Sequence, residues 1–394
     1  MIANRVNRIQ PSFTLEMTSK AASLRSQGID VIDLGVGEPD FNTPINIREA
    51  AIKAMSEGHT KYTPGRGTLE LREAICVKLE RDNQIIYNPD QIIVSNGAKH
   101  SLSTICQAVL NPNDEVIVFS PYWVSFPEII RLADGIPVIV KTIPEKNFTP
   151  DWNDLEKKIS TNTAAILLNS PSNPTGSVWD NETIKNLLTI SAKHNWLVIS
   201  DECYERLVYD KKYVSTESLN EAGANVLTVQ SMSKTYAMTG WRIGYTAGDV
   251  EIIRAMGKIQ GQATSCPNSI SQKAAIEALM GNQSEVNQMK KVFSQRRNLM
   301  INRLNKINNL YCSTPGGAFY AFPDLSHYIG LKNQGKIIDT SFALSDYILE
   351  SARTVTVAGS GFGLEGYIRL SYATEESVFL EGIDRIELAL EKLK

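Results

Sequence analysis

An alternation of short apolar runs and longer helical stretches constrains this chain more than any other feature. From Gln91 onward, runs at Ile92–Ser95, Glu115–Phe119, Pro137–Lys141, Ala164–Leu168, Leu197–Ser200 and Val226–Val229 are separated by stretches that include the helical intervals Trp152–Lys158 and Glu182–Lys193. Runs this short and this continuously apolar suit strands buried on both faces. Strand and helix in this order predict an α/β fold, a mainly parallel sheet covered on both sides. In such folds ligands gather beyond the carboxyl ends of the strands. The residues capable of chemistry fall there.

The stretch 231–245, SMSKTYAMTGWRIGY, directly follows the run Val226–Val229. A lysine beside a buried strand is a poor packing choice, because a desolvated ammonium is costly. It is a sound chemical choice, because a dry polar pocket lowers its pKa and readies it for a Schiff base. Ser231 and Ser233 offer hydroxyls, and Arg242 offers a planar fork suited to phosphate oxygens. An amine for an aldehyde beside donors for a phosphate describes pyridoxal 5′-phosphate. A lone lysine would read as a solvated side chain on a polar turn; these neighbours favour the cofactor.

Other strand ends carry matching parts. Asn96-Gly97-Ala98-Lys99 joins a strand to a helix start, a natural anion site. Asp201 follows Leu197–Ser200, where a carboxylate serves equally as a helix cap or as the partner of a pyridinium nitrogen. Trp123 lies just past Glu115–Phe119, a place where aromatics are commonly core. In GVGEPDFNTP, Gly35 and Gly37 let the backbone approach a ligand or simply turn. AGSGFGLEG carries Gly359, Gly361 and Gly363, but a strand follows it rather than a helix, so it reads as a flexible loop over the site and not as a dinucleotide loop. Arg369 sits in that strand, and an inward arginine needs an anion.

Composition narrows the class. The 394 residues allow two or three domains. A net charge of −3 without a basic run argues against an extended nucleic-acid surface. No apolar run approaches the roughly 18 residues of a membrane span. The start, MIANRVNRIQPSF, lacks a secretory apolar core and reads as an arm broken at Pro11, followed by a helix over 14–27. Five cysteines without a CxxC pair suggest reduced thiols in a cytoplasmic protein. Four scattered histidines offer no metal spacing. Further helices are expected over 44–57, 250–280, 283–305, 340–351 and 375–392.

These stretches, from GVGEPDF to YIRLSYA, resemble class I aminotransferases of the bacterial aspartate aminotransferase type, which are fold-type I pyridoxal-phosphate enzymes. The resemblance implies a large domain with a mainly parallel seven-stranded sheet and a smaller α+β domain. In this chain the large domain is expected over 45–290 and the small one over 1–44 with 291–394. It implies that Lys234 bonds the cofactor and moves the proton. Gly97, Ala98, Lys99, Ser231, Ser233 and Arg242 would hold the phosphate. Tyr62 would reach the phosphate of a neighbouring subunit, making a homodimer with shared sites. Trp123 would stack on the ring, Asp201 would face its nitrogen, and Asn173 and Tyr204 its phenolic oxygen. Gly37 and Arg369, with Trp123 and Asn173, would bind the substrate. The implied reaction is ping-pong transfer of an amino group, with aspartate as donor and 2-oxoglutarate as acceptor. Aromatic amino acids, alanine or prephenate are the alternative substrates, and a β-lyase is the alternative reaction. Prephenate-using relatives carry a lysine just before Pro-Ser, where this chain has Gln10. Arg66, Gln107 and Arg296 are candidates for a second carboxylate site.

Overall fold

The computed structural model describes residues 2–10 and 13–394. Pro11 and Ser12, where the arm was expected to break, lie outside the described residues. The arm forms a tight turn over Asn4–Arg8. It is held to the main body by a hydrogen bond from Gln10 N to Glu128 Oε2 at 2.8 Å and by an Arg8–Asp134 ion pair.

The central sheet has eight strands. Across the sheet they run Ile92–Ser95, Gly244–Ala247, Asn225–Ser231, Leu197–Asp201, Thr163–Asn169, Glu115–Ser120, Ile136–Ile143 and Thr149–Pro150. Six of the first seven match the apolar runs, and with Gly244–Ala247, which no run marked, they make the seven-stranded sheet that the resemblance implied. The additional edge strand is two residues long, and its Pro150 is tolerated at an edge where no ladder N–H is needed. All neighbours pair in parallel except at Gly244–Ala247 and at this edge.

Side-chain alternation builds a core on each face. Val116, Val118, Ala165, Leu167 and Ile199 pack toward helices Ala98–Val109, Ser125–Leu132 and Val250–Ala263. Ile117, Phe119, Ile166, Leu168 and Val198 pack toward Asn181–His194 and Trp152–Lys158. A separate large cluster joins helices Ser284–Leu304, Ser341–Ala352 and Glu376–Leu390 to a three-stranded sheet of Tyr320–Ala321, Ile368–Ser371 and Val357–Ala358. Ile32–Asp33 pairs with Thr354–Val355, so the following loop 35–38 is anchored on this second body.

Two expectations need correction. The helix expected over 250–280 is broken, because Val250–Ala263 ends before Ser265, whose φ is +62°, and Pro267. Asn268 then caps Ser269–Met280 by accepting from Ser271 N at 2.9 Å. The glycine-rich segment 359–363 is fastened down where a flexible loop was expected. Phe362 O accepts from Tyr122 N at 2.9 Å, and Gly363 O accepts from Ser120 Oγ at 2.6 Å.

Candidate active site

The carboxyl ends of the parallel strands open onto a cavity of about 450 Å³. Lys234 lines it, on the short helix Met232–Thr235 that directly continues strand Asn225–Ser231. Ser231 caps that helix, its Oγ accepting from Ser233 N at 3.1 Å and donating to Ser233 Oγ at 2.8 Å. The Lys234 ammonium donates to the Gly37 carbonyl. Burial pushes its pKa down to about 8; Cys203 and Glu38 pull it upward, while Arg369 and Arg242 push with the burial. A side chain with that value offers a free amine near neutral pH.

Asp201 ends its strand in register with Asn169 on one side and Val229 on the other. It is buried, and its Oδ1 accepts from Cys203 N at 3.1 Å. Burial raises its pKa, while the bonds from Cys203 and the charge of Lys234 lower it. Tyr204 follows on the same turn, and its hydroxyl lies 2.9 Å from that of Tyr320. Asn173 N donates to Asn169 Oδ1 at 2.8 Å, which fixes the loop after strand Thr163–Asn169.

A second group of donors lies at the helix start Ala98–Val109. Gly97 has φ +85° and ψ 163°, and a Cβ there would come within 2.5 Å of Arg242 Nη2. Arg242 Nη1 donates to Thr239 O at 2.6 Å, and among the described residues no carboxylate lies within ion-pair distance of it. A Cβ on Gly244 would meet Ala98 N at 2.7 Å, so the bare strand lets the Gly97–Ala98 backbone lie directly on it. Lys99 faces the cavity, with its ammonium 4.9 Å from the centre of the Trp123 ring; burial and then Arg242 lower its pKa.

Arg369 reaches the cavity from the second body. It is buried at 3% exposure, donating to Asn173 Oδ1 at 3.0 Å and to Gly35 O at 2.6 Å. Its Nε has no partner, and no described carboxylate lies within 4 Å. An ion left this bare costs several kcal/mol on the order-of-magnitude scale. An incoming anion would offset that cost.

The cavity thus collects Gly37, Ala98, Lys99, Trp123, Asn173, Asp201, Tyr204, Ser231, Ser233, Lys234, Arg242 and Arg369. Gly97 sits behind Arg242 at its edge, and Tyr62 lies outside, 89% exposed. Arg66, Gln107 and Arg296 do not reach the cavity. Arg66 is bound to Asp90, Gln107 to Ser103, and Arg296 to Asp40 at 2.8 and 2.9 Å. Cavity residues that the sequence did not single out include Tyr320, Glu38 and Thr239, the last two joined at 2.8 Å.

Pyridoxal phosphate fits this donor set. A depressed lysine pKa, a buried carboxylate at the floor and an arginine beside a cradle without side chains are what its carbonyl, ring nitrogen and phosphate require.

Comparison with known proteins agrees. The family model for aminotransferase class I and II matches residues 29–386. An aspartate aminotransferase from Bacillus sp. (strain YM-2) is 43% identical over 98% of both chains. A probable aspartate/prephenate aminotransferase from Aquifex aeolicus is 44% identical over 100% of this chain and 99% of its own. The crystal structure of the Rhizobium meliloti aspartate aminotransferase superposes with a TM-score of 0.96 at 41% identity, covering all of both chains. The Thermus thermophilus enzyme with maleate superposes at 0.93 and 38% identity, over 99% of each chain. A lysine with a lowered pKa among anion donors, set in this sheet and matched over nearly its whole length, makes the chain a member of the class I and II aminotransferase family.

Proposed function

We propose that this enzyme transfers the amino group of L-aspartate to 2-oxoglutarate in two half-reactions, using pyridoxal 5′-phosphate. The observation that carries the reading is Lys234, with its pKa at about 8, in one cavity with Asp201 and the bare Arg369. Pyridoxal phosphate, when bound, supplies a carbonyl carbon that accepts an amino group and a ring that draws electrons from the substrate α-carbon. Gly97, Ala98, Lys99, Ser231, Ser233 and Arg242 would hold the phosphate. Asp201 would hold a proton on the ring nitrogen, Trp123 would cover the ring face, and Tyr204 and Asn173 would direct hydrogen bonds to its phenolic oxygen. Arg369, with the Gly37 backbone, would orient the substrate α-carboxylate. The neutral Lys234 amine would take the proton from the substrate α-carbon as base, and the ammonium so formed would give it up again as acid.

Aspartate is favoured because relatives 43–44% identical over nearly the whole chain are named aspartate aminotransferases. The Thermus relative was crystallised with maleate, itself a four-carbon dicarboxylate. We further propose a homodimer in which Tyr62, fully presented to solvent here, enters the partner's site. The proposed division is a large domain over 45–290 and a small one over 1–44 with 291–394. A cytoplasmic location agrees with free thiols at all the cysteines. Among the described residues, no helix is long and apolar enough to cross a membrane.

The test is a single half-reaction. Cofactor-loaded protein mixed with aspartate alone should lose its long-wavelength absorption, and 2-oxoglutarate should restore it. No change with aspartate but conversion with phenylalanine or alanine would move the substrate. No conversion with any amino acid would end the transaminase reading.

A further inference from the structure

The turn that carries Asp201 and Tyr204 has a second face. Glu202 and Glu205 stay out of the cavity and enter a buried polar cluster, at 0% and 8% exposure. Lys78, the last residue of helix Leu69–Lys78, reaches into the same cluster at 2% exposure. Its ammonium donates to Asn83 Oδ1 at 2.8 Å, to Gln230 Oε1 at 2.6 Å and to Glu205. Those contacts use every proton that an ammonium has. Gln230 Nε2 spans the carboxylates, at 3.2 Å from Glu202 and 3.0 Å from Glu205. Asn83 Nδ2 donates to Glu205 Oε2 at 2.6 Å, while Ser200, Ser215 and the Thr216 backbone complete Glu202. The Tyr245 hydroxyl closes on Gln230 Oε1.

Lys78 is the cation in hydrogen-bond contact with this cluster, facing the carboxylates of Glu202 and Glu205. Tyr87, Tyr213 and Glu217 lie within electrostatic reach of Glu202, and Asp82 pairs with Arg81 and Arg206 nearby. Removing the cation from such a cluster leaves buried carboxylates uncompensated. Gln230 and Ser231 are consecutive in one strand, so their side chains point to opposite faces. Gln230 faces the cluster and Ser231 the cavity. The strand thus carries the cluster on one face and the cavity on the other.

We infer that Lys78 is a positioning residue: through Glu205, Gln230 and Glu202 it fixes the turn that aims Asp201 and Tyr204 into the cavity. The inference rests on the cofactor reading above. Lys78 touches none of the reacting groups; it acts through the turn.

Lys78→Met keeps the stem and removes the charge. Two readings are taken on the purified protein: cofactor affinity, and the pH midpoint of the bound cofactor's absorption change. Lys78→Met should weaken cofactor binding by roughly tenfold to a hundredfold and displace the midpoint. Lys78→Met with Glu205→Gln, which also removes the carboxylate left without its cation, should recover most of both. A folded Lys78→Met with wild-type affinity and midpoint overturns the inference, as does a double variant no better than the single one. Should Lys78→Met fail to fold, Gln230→Met cuts the bridge while sparing the Lys78–Glu205 pair. A displaced midpoint then supports the inference, and a wild-type midpoint overturns it. A wild type whose absorption change does not depend on Lys234 would instead refute the cofactor reading beneath it.

Discussion

The guanidinium of Arg369 stacks 4.4 Å from the centre of the Tyr320 ring, and Tyr320 in turn meets the hydroxyl of Tyr204 at 2.9 Å. One arginine on the three-stranded sheet is thereby joined to the turn that follows strand Leu197–Asp201. The ring face stabilises the buried cation while its Nε stays available. Arg369→Lys keeps the charge but loses the planar fork. Each charge-assisted hydrogen bond is worth about 1.5–3 kcal/mol. Steady-state kinetics should show kcat/KM for the amino acid falling by roughly a hundredfold, carried mostly by KM. Unchanged KM would exclude Arg369 from carboxylate binding.

Lys234 should react as an amine of pKa about 8. Its neutral form attacks a carbonyl, so the reactive fraction grows as pH rises through that value. An unperturbed lysine would need a pH near 10.4. The rate at which cofactor-free protein becomes trapped on pyridoxal phosphate by borohydride should be half-maximal near pH 8 and level off about one unit higher. Lys234→Ala should show no trapping at any pH. A rate still climbing at pH 10 would mean that the pocket does not lower this pKa.

Gly97→Ala should damage the phosphate cradle. The new Cβ would press on Arg242 Nη2 at 2.5 Å, in a backbone conformation that costs about 1–3 kcal/mol outside glycine. Equilibrium titration should show pyridoxal phosphate bound roughly tenfold more weakly. Pyridoxal, which lacks the phosphate, should be affected less. Equal losses for both ligands would remove Gly97 from the phosphate site.

Much of this was legible in the sequence because it is local. The apolar runs marked six of the eight central strands to within a residue or two, leaving out Gly244–Ala247 and the edge, and Asp201 and Lys234 stood at or just past strand ends. What was not legible depends on distant segments meeting. Nothing near Arg296 foretells Asp40 as its partner, so it looked free for a substrate. Tyr320 is one of three aromatics in GAFYAF, and its place beside Arg369 arises only when Tyr320–Ala321 pairs with Ile368–Ser371. Gly244 passed unremarked because the backbone it accommodates lies far away in sequence. The break before Ser269 is a different case, because Pro267 already announced it.

Ser231 pairs directly with Gly244 across two antiparallel strands. The excursion between them, residues 232–243, is therefore a closed loop pinned at its neck. Its outer part is held as well, because Tyr236 and Met238 are buried and Thr239 O accepts from Arg242 Nη1. Lys234 and Arg242 ride on this one closed segment, so a change in its packing reaches the amine and the anion donors together.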